Sequence, residues 1–209
     1  MAWREQAARN PPRRFAGEKY WARPVPAFGD PAARILIVGL APAANGANRT
    51  GRMFTGDESG NFLFEALHSI GLANRPTSVA RGDGLELRNA LLSAACRCAP
   101  PDNRPTPREL ENCRGYLEAE FSALAAPRVL VALGALGFGA CLRVLAASGA
   151  HIPKPKPRFA HGARFRIGED LLFATYHPSQ QNTFTGKLTQ RMLRDVLRPA
   201  VRAAGLLSS

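Results

Sequence analysis

Acidic residues are scarce in this chain. Its 209 residues hold 16 Asp and Glu against 28 Lys and Arg, a formal net charge of +12. Such a surface disfavours basic partners and favours a polyanion, with a merely basic surface as the plain alternative. Long hydrophobic runs are missing too: Arg, Gly or Pro breaks each one well before the ~18 residues a membrane span requires. The opening MAWREQAARNPPRRFAGEKYWARPVPAFGD lacks the apolar segment of a secretory signal. The expectation is therefore a soluble, cytoplasmic protein that makes no use of a membrane and acts as a monomer.

Cysteine and histidine are few. The four cysteines, Cys96, Cys98, Cys113 and Cys141, are not expected to pair as disulfides without a secretion signal. Cys141, within GFGACLRVLA, reads as a small buried hydrophobe, and Cys96 as a strand residue sharing the face of Cys98. His68, His151 and His161 have no metal-ligand spacing and read as surface or packing residues. Phosphate-loop signatures are missing as well: the loop after the first apolar strand contains neither GK[ST] nor GxGxxG, so a phosphate cradle is not expected there.

What is present is a chain that is 45% hydrophobic and long enough for a proper core. Residues 1–33 read as an N-terminal basic wrap, with a short helix at Trp3 to Arg9 and Tyr20 and Trp21 as anchors. Residues 34–209 read as a single domain. RILIVG (34–39) predicts a buried strand, followed by a helix over Ser59 to Leu72 with Ser59 as a plausible cap. ALLSAACRC (90–98) predicts a second strand. Thr106 and Pro107 then open a helix to about Leu124. RVLVALG (128–134) predicts a third strand running into a helix from Ala135 to Ala147. ARFRIGEDLLFATYH reads as a hairpin-like pair ending at His177, and the last helix covers about Leu188 to Ala204. Strands alternating with helices predict a three-layer α/β/α sandwich around a mostly parallel, four-stranded sheet. Ligands of such folds sit at the carboxyl ends of the strands. There the sequence places GLAPAANG, CRCAPPDN, LGALG and HPSQQN.

The first of these loops is slim at its start, where Gly39, Ala41, Pro42 and Ala43 let backbone N–H groups approach a flat ligand closely. Its far end carries Phe54 and Asp57. Phe54 is either a stacking surface or ordinary core; Asp57 is either a buried acid or the cap of the following helix. His177 either donates a hydrogen bond to charge developing on a leaving group or is a turn histidine satisfied by backbone.

Taken together, GLAPAANGANRTGRMFTGDESG, CRCAPPDNRPTPRELENC and HPSQQNTFTGKLT resemble the uracil-DNA glycosylase superfamily, most of all its family 5 (type b) branch. The resemblance runs from about Trp3 to Arg198. It implies a DNA repair enzyme that flips a deaminated base out of double-stranded DNA, and of single-stranded DNA as a further candidate, and hydrolyses its N-glycosidic bond. It implies a monofunctional reaction that leaves an abasic site. By this resemblance Phe54 stacks on the base and Gly39, Leu40 and Ala41 offer N–H groups to its edge. His177 stabilises the departing base, Asp57 faces the sugar cation or orients water, and Asn103 is a second polar residue near that water. Arg52, Ser179 and Lys187 are the implied DNA contacts, and a minor-groove wedge lies within Gln180 to Phe184. A non-catalytic nucleic-acid-binding relic of the same fold is the rival reading.

The chain departs from the pattern twice. Relatives strict for uracil carry an asparagine near the end of the second strand. Here that region is Ser93, Ala94, Ala95, and Asn89 lies too early. Without an amide to read the base, weak discrimination among uracil, hypoxanthine, xanthine and similar bases is expected. Families 4 and 5 also hold a [4Fe–4S] cluster on four cysteines. Cys98 and Cys113 match one pair; the other pair would lie upstream of MAWRE. Two thiolates do not make a standard site, so no stable four-cysteine cluster is expected on this sequence.

Overall fold

The computed structural model describes residues 2–125 and 128–206. Among the described residues the sheet has six strands: β1 (Phe28–Gly29), β2 (Ile35–Gly39), β3 (Ala90–Ala94), β4 (Val129–Leu133), β5 (Arg164–Ile167) and β6 (Asp170–Thr175). Their order is β1-β3-β2-β4-β6-β5. The four central strands are parallel, as expected. The two further strands are antiparallel edges, β1 on β3 and β5 on β6. β1 comes from the N-terminal segment. Only two residues long, it has no hydrophobic alternation to announce it, and Gly29 permits its close approach: a Cβ there would lie 2.2 Å from the carbonyl oxygen of Ala90.

Among the described residues there are seven α-helices: α1 (Ala2–Arg9), α2 (Ala47–Thr50), α3 (Glu58–Ser69), α4 (Pro107–Ala123), α5 (Gly134–Ala147), α6 (Gln180–Phe184) and α7 (Gln190–Ala203). Period-two alternation of the central strands builds two cores. Ile35, Ile37, Val129, Val131 and Leu133 face α3 and α7, while Leu36, Val38, Leu130 and Ala132 face α4 and α5. The result is the three-layer sandwich. No helix among the described residues is long and apolar enough to cross a membrane.

Local chemistry sets the helix starts. Thr106 accepts from the Glu109 N–H at 3.2 Å while Glu109 accepts from the Thr106 N–H at 2.8 Å, a full capping box with Pro107 in the first turn. The cap of α3 is Asp57 rather than Ser59: its Oδ1 accepts from the Gly60 N–H at 2.9 Å. β3 stops at Ala94, because Ala95 and Cys96 turn to bond the carbonyls of Gly39 and Leu40. Cys96 and Cys98 are thus loop residues and share no strand face.

Candidate active site

All four parallel strands end at one edge of the sheet, and a pocket of about 290 Å³ opens there. Leu40, Ala41, Pro42 and Ala43 after β2 form one wall, and Ala94 closes the end of β3. Phe54, Asp57 and Ser59 come from the loop into α3, Asn103 from the Pro-rich loop, and His177 and Ser179 from the segment after β6. The small residues matter here because they keep the wall thin.

Phe54 sits at φ 50, a left-handed backbone conformation that aromatic residues rarely adopt. Two glycines hold it there. A Cβ on Gly60 would meet the Phe54 carbonyl oxygen at 2.1 Å, and one on Gly39 would meet its ring at 2.7 Å. Gly39 therefore does not line the pocket as expected. Its carbonyl accepts from the Ala95 N–H, and its missing side chain makes room for the Phe54 ring. Phe54 is half-buried and touches both the core and the pocket.

Asp57 likewise does both things foreseen for it. One oxygen caps α3 while the side chain lines the pocket. The other oxygen packs against Gly46, where a Cβ would lie 2.0 Å away. Burial raises the carboxyl pKa, and the backbone N–H groups of Gly60 and Ser59 oppose that rise by holding the charged form. His177 lies across from it, its ring centroid 6.0 Å from that of Phe54. Burial pushes its pKa down to about 4, so the imidazole is neutral near pH 7. Its carbonyl accepts from Asn182 Nδ2 at 2.8 Å, and Gly134 at the start of α5 leaves room for its Cβ. Asn103 reaches the pocket mouth from a strained turn in which Asp102 and Asn103 have φ of 51 and 55.

Arg52 is not a phosphate contact. It is 5% exposed, and Asp83 grips it through both guanidinium nitrogens at 2.7 Å. Its Nε donates to Thr55, Nη2 donates also to Ser78, and its plane lies 4.8 Å over Phe28. The arginine holds Asp83 well below the usual carboxylate range. Sequence could not separate this arginine from a surface one, because its partner lies in the loop thirty-one residues on. Ser179 lines the pocket, and Lys187 is exposed over the ring of Tyr176. Two residues were missed. Gly46 was passed over as plain loop, and Ala94 rather than Ser93 faces the pocket. Period two gives the latter: Ser93 points to the other face and donates to Glu120 at 2.7 Å.

The family model described as Uracil DNA glycosylase superfamily matches residues 26–200. This chain belongs to that superfamily. It is 51% identical over 209 residues to a Type-5 uracil-DNA glycosylase of Thermus thermophilus, covering 99% of this chain and 91% of the relative. It is 50% identical to the protein of the same description from Mycobacterium bovis, covering 99% and 76%. A Type-4 uracil-DNA glycosylase of Archaeoglobus fulgidus is 38% identical over 111 residues, 53% of this chain and 48% of the relative. The motif-bearing loops of the superfamily reading are those that meet at the pocket.

Cys98 and Cys113, the pair that the resemblance matches to cluster ligands, have different partners. Cys113 is in contact with Cys96 and accepts from the Arg97 N–H at 3.4 Å. Cys98 instead accepts from Arg4 Nη1 at 2.9 Å. Among the described residues, no group of three or more Cys, His, Asp or Glu side chains could hold a metal ion. Buried Arg97, between Cys96 and Cys98, is ion-paired with Glu120 and donates to the Val25 carbonyl at 3.1 Å.

Proposed function

We propose that this protein hydrolyses the N-glycosidic bond of uracil in DNA, with the flipped base held in the pocket between Phe54 and His177. One observation carries the reading: Asp57 and His177, from loops 120 residues apart in sequence, line one small pocket beside an aromatic wall. A helix cap or a turn histidine has no need of that convergence. Phe54 offers the base a face to stack on, and the Leu40–Ala43 backbone offers it N–H groups. Negative charge grows on the base as the bond to C1′ breaks. Neutral His177 meets it with an N–H donor in a site where water is sparse. Positive charge grows on the sugar, and the Asp57 carboxylate faces it, as carboxylates do in glycoside hydrolysis. Water, near Asn103, then adds to C1′; its proton is lost, and the base leaves with the bonding pair. No amine takes part, so the product is an intact strand with an abasic site.

Ala94 presents no amide to the base, which supports acceptance of hypoxanthine and other deaminated bases beside uracil. The strand is double-stranded DNA, and single-stranded DNA is accepted where the base needs no extrusion. Phe184, 76% exposed at the end of α6, is the apolar side chain suited to fill the gap that the flipped base leaves. None of these roles calls on an iron–sulfur group, and the protein works as a cytoplasmic monomer.

The test is incubation with a labelled U·G duplex followed by alkali. Wild type yields cleavage only after the alkali. Asp57→Asn keeps a capping side chain while removing the charge, and His177→Ala removes the donor. Each is expected to lose activity by about 10²–10³-fold, the range for a lost charge-stabilising group. Full activity in either variant refutes the assigned roles.

A further inference from the structure

His161 reads from sequence as a surface or packing histidine, and the KPKPR stretch (154–158) near it is basic and Pro-rich. The fold brings His161 against the segment that leads to His177. The His161 imidazole stacks on Tyr176, the neighbour of His177, with centroids 4.9 Å apart and planes 13° from parallel. Its Nδ1 accepts from the Tyr176 N–H at 3.3 Å and faces the Thr175 hydroxyl at 3.3 Å. That leaves Nε2 to carry the proton as a free donor. No group among the described residues bonds Nε2, and it is not one of their buried orphan atoms. Lys187 Nζ lies 4.9 Å from the same Tyr176 ring. Phe159 ties the segment down, 6.2 Å from Tyr176 and 5.9 Å from Phe138.

Lys154, Lys156 and Arg158 lead into this cluster, and Arg164 and Arg166 on edge strand β5 lead away from it; all five are exposed. Among the described residues, none of these five, nor Lys187, has a carboxylate within ion-pair distance. The carboxylate whose field reaches His161 is Asp195, and Arg191 already pairs with it at 3.8 Å. Exposed cations left unpaired on either side of His161 in sequence, with Lys187 over the Tyr176 ring, suit a nucleic-acid backbone rather than a carboxylate partner.

We infer that His161, Tyr176 and Lys187, continued by the 154–166 segment, form a track for the phosphates of the DNA strand flanking the flipped nucleotide. This track rests on the uracil-excising reading of the pocket. Lys187 and the 154–158 cations neutralise phosphates, while His161 donates a neutral hydrogen bond and Tyr176 is the platform that aligns it.

The test is fluorescence anisotropy of a duplex carrying a tetrahydrofuran abasic analogue, over a range of salt concentrations. Each phosphate contact contributes about 0.9 to the slope of log Kd against log salt. Lys156→Ala with Arg158→Ala is expected to lower the slope by about 1.8. The control pair, Arg88→Ala with Arg202→Ala, removes the same charge at the opposite end of the sheet, where Arg34 bonds the Ala204 carbonyl. It is expected to leave the slope as in wild type. His161→Phe keeps the stack and loses the donor, so it is expected to weaken binding by a similar factor at every salt concentration. Equal slopes for the two double variants would overturn the track, as would unchanged affinity of His161→Phe. Uracil release is measured in parallel on the wild type. Its absence would refute the reading of the pocket, whereas equal slopes with uracil release intact would refute the track alone.

Discussion

Burial of His177 ties stability to pH in a window that can be calculated. The imidazole pKa falls from 6.5 to about 4 in the folded protein because burial penalises the charged form. Between those values the unfolded chain binds a proton that the folded chain refuses. A depressed basic group therefore contributes full stability above pH 6.5 and loses it as pH falls towards 4. At pH 5 the unfolded state is favoured by about 2 kcal/mol relative to pH 7 through this one group. Below pH 4 the loss levels off near 3 kcal/mol, the full shift converted at about 1.4 kcal/mol per pH unit.

Replacing the imidazole by a neutral amide isolates that effect. His177→Gln has no proton to take up, while the other titrating groups, Asp83 and Asp57 among them, stay in both proteins. Urea unfolding of wild type and His177→Gln at pH 7 and pH 5 gives the comparison. Whatever the substitution costs at pH 7, that cost is expected to shrink by about 2 kcal/mol at pH 5. Parallel pH dependence in the two proteins would mean that His177 takes up protons freely when folded. The neutral donor assigned to it would then be wrong at moderately acidic pH.

Other expectations follow from single contacts. Arg52→Ala is expected to destabilise by about 3 kcal/mol in urea, since it strands Asp83 without its partner, and to leave the salt slope of DNA binding unchanged. A fallen slope would restore Arg52 as a phosphate contact. Gly46→Ala drives a methyl group into Asp57 Oδ2 and is expected to cost about 1–3 kcal/mol of stability, with a loss of single-turnover rate that saturating DNA does not rescue. A wild-type rate would mean that the carboxylate position is not critical. Ala94→Asn places an amide in the pocket wall and is expected to raise the ratio of uracil to hypoxanthine release at least about tenfold; an unchanged ratio would show that the base does not reach this wall.

The parts of the fold legible in the sequence were those fixed by local chemistry. Ile35 to Val38 and Val129 to Leu133 are apolar on both faces, as central parallel strands must be. Thr106, Pro107 and Glu109 announce the start of α4 by themselves. What escaped depends on distant partners. Phe28 and Gly29 form a strand because Ala90 and its neighbours offer a ladder, not because two residues prefer one. Arg52 resembles any surface arginine until Asp83 folds onto it. Cys96 and Cys98 appear to alternate along a strand, but β3 has already ended, and one thiol meets Cys113 while the other meets Arg4.

The same distinction explains why the site was easier to read than its supports. Asp57, Phe54 and His177 were singled out as side chains able to do chemistry, and each also has a structural place: cap of α3, packing against the core, and the stretch after β6 whose carbonyl binds Asn182. Those contacts hold the side chains in place: the Asp57 carboxylate, for one, is already bonded to the Gly60 N–H. The supports are glycines. Gly39, Gly46 and Gly60 act through the side chains they lack, by letting Phe54 and Asp57 approach to distances a Cβ would forbid. An absent atom carries no signal in a sequence read one residue at a time. It becomes legible only when the neighbour that fills the space is known.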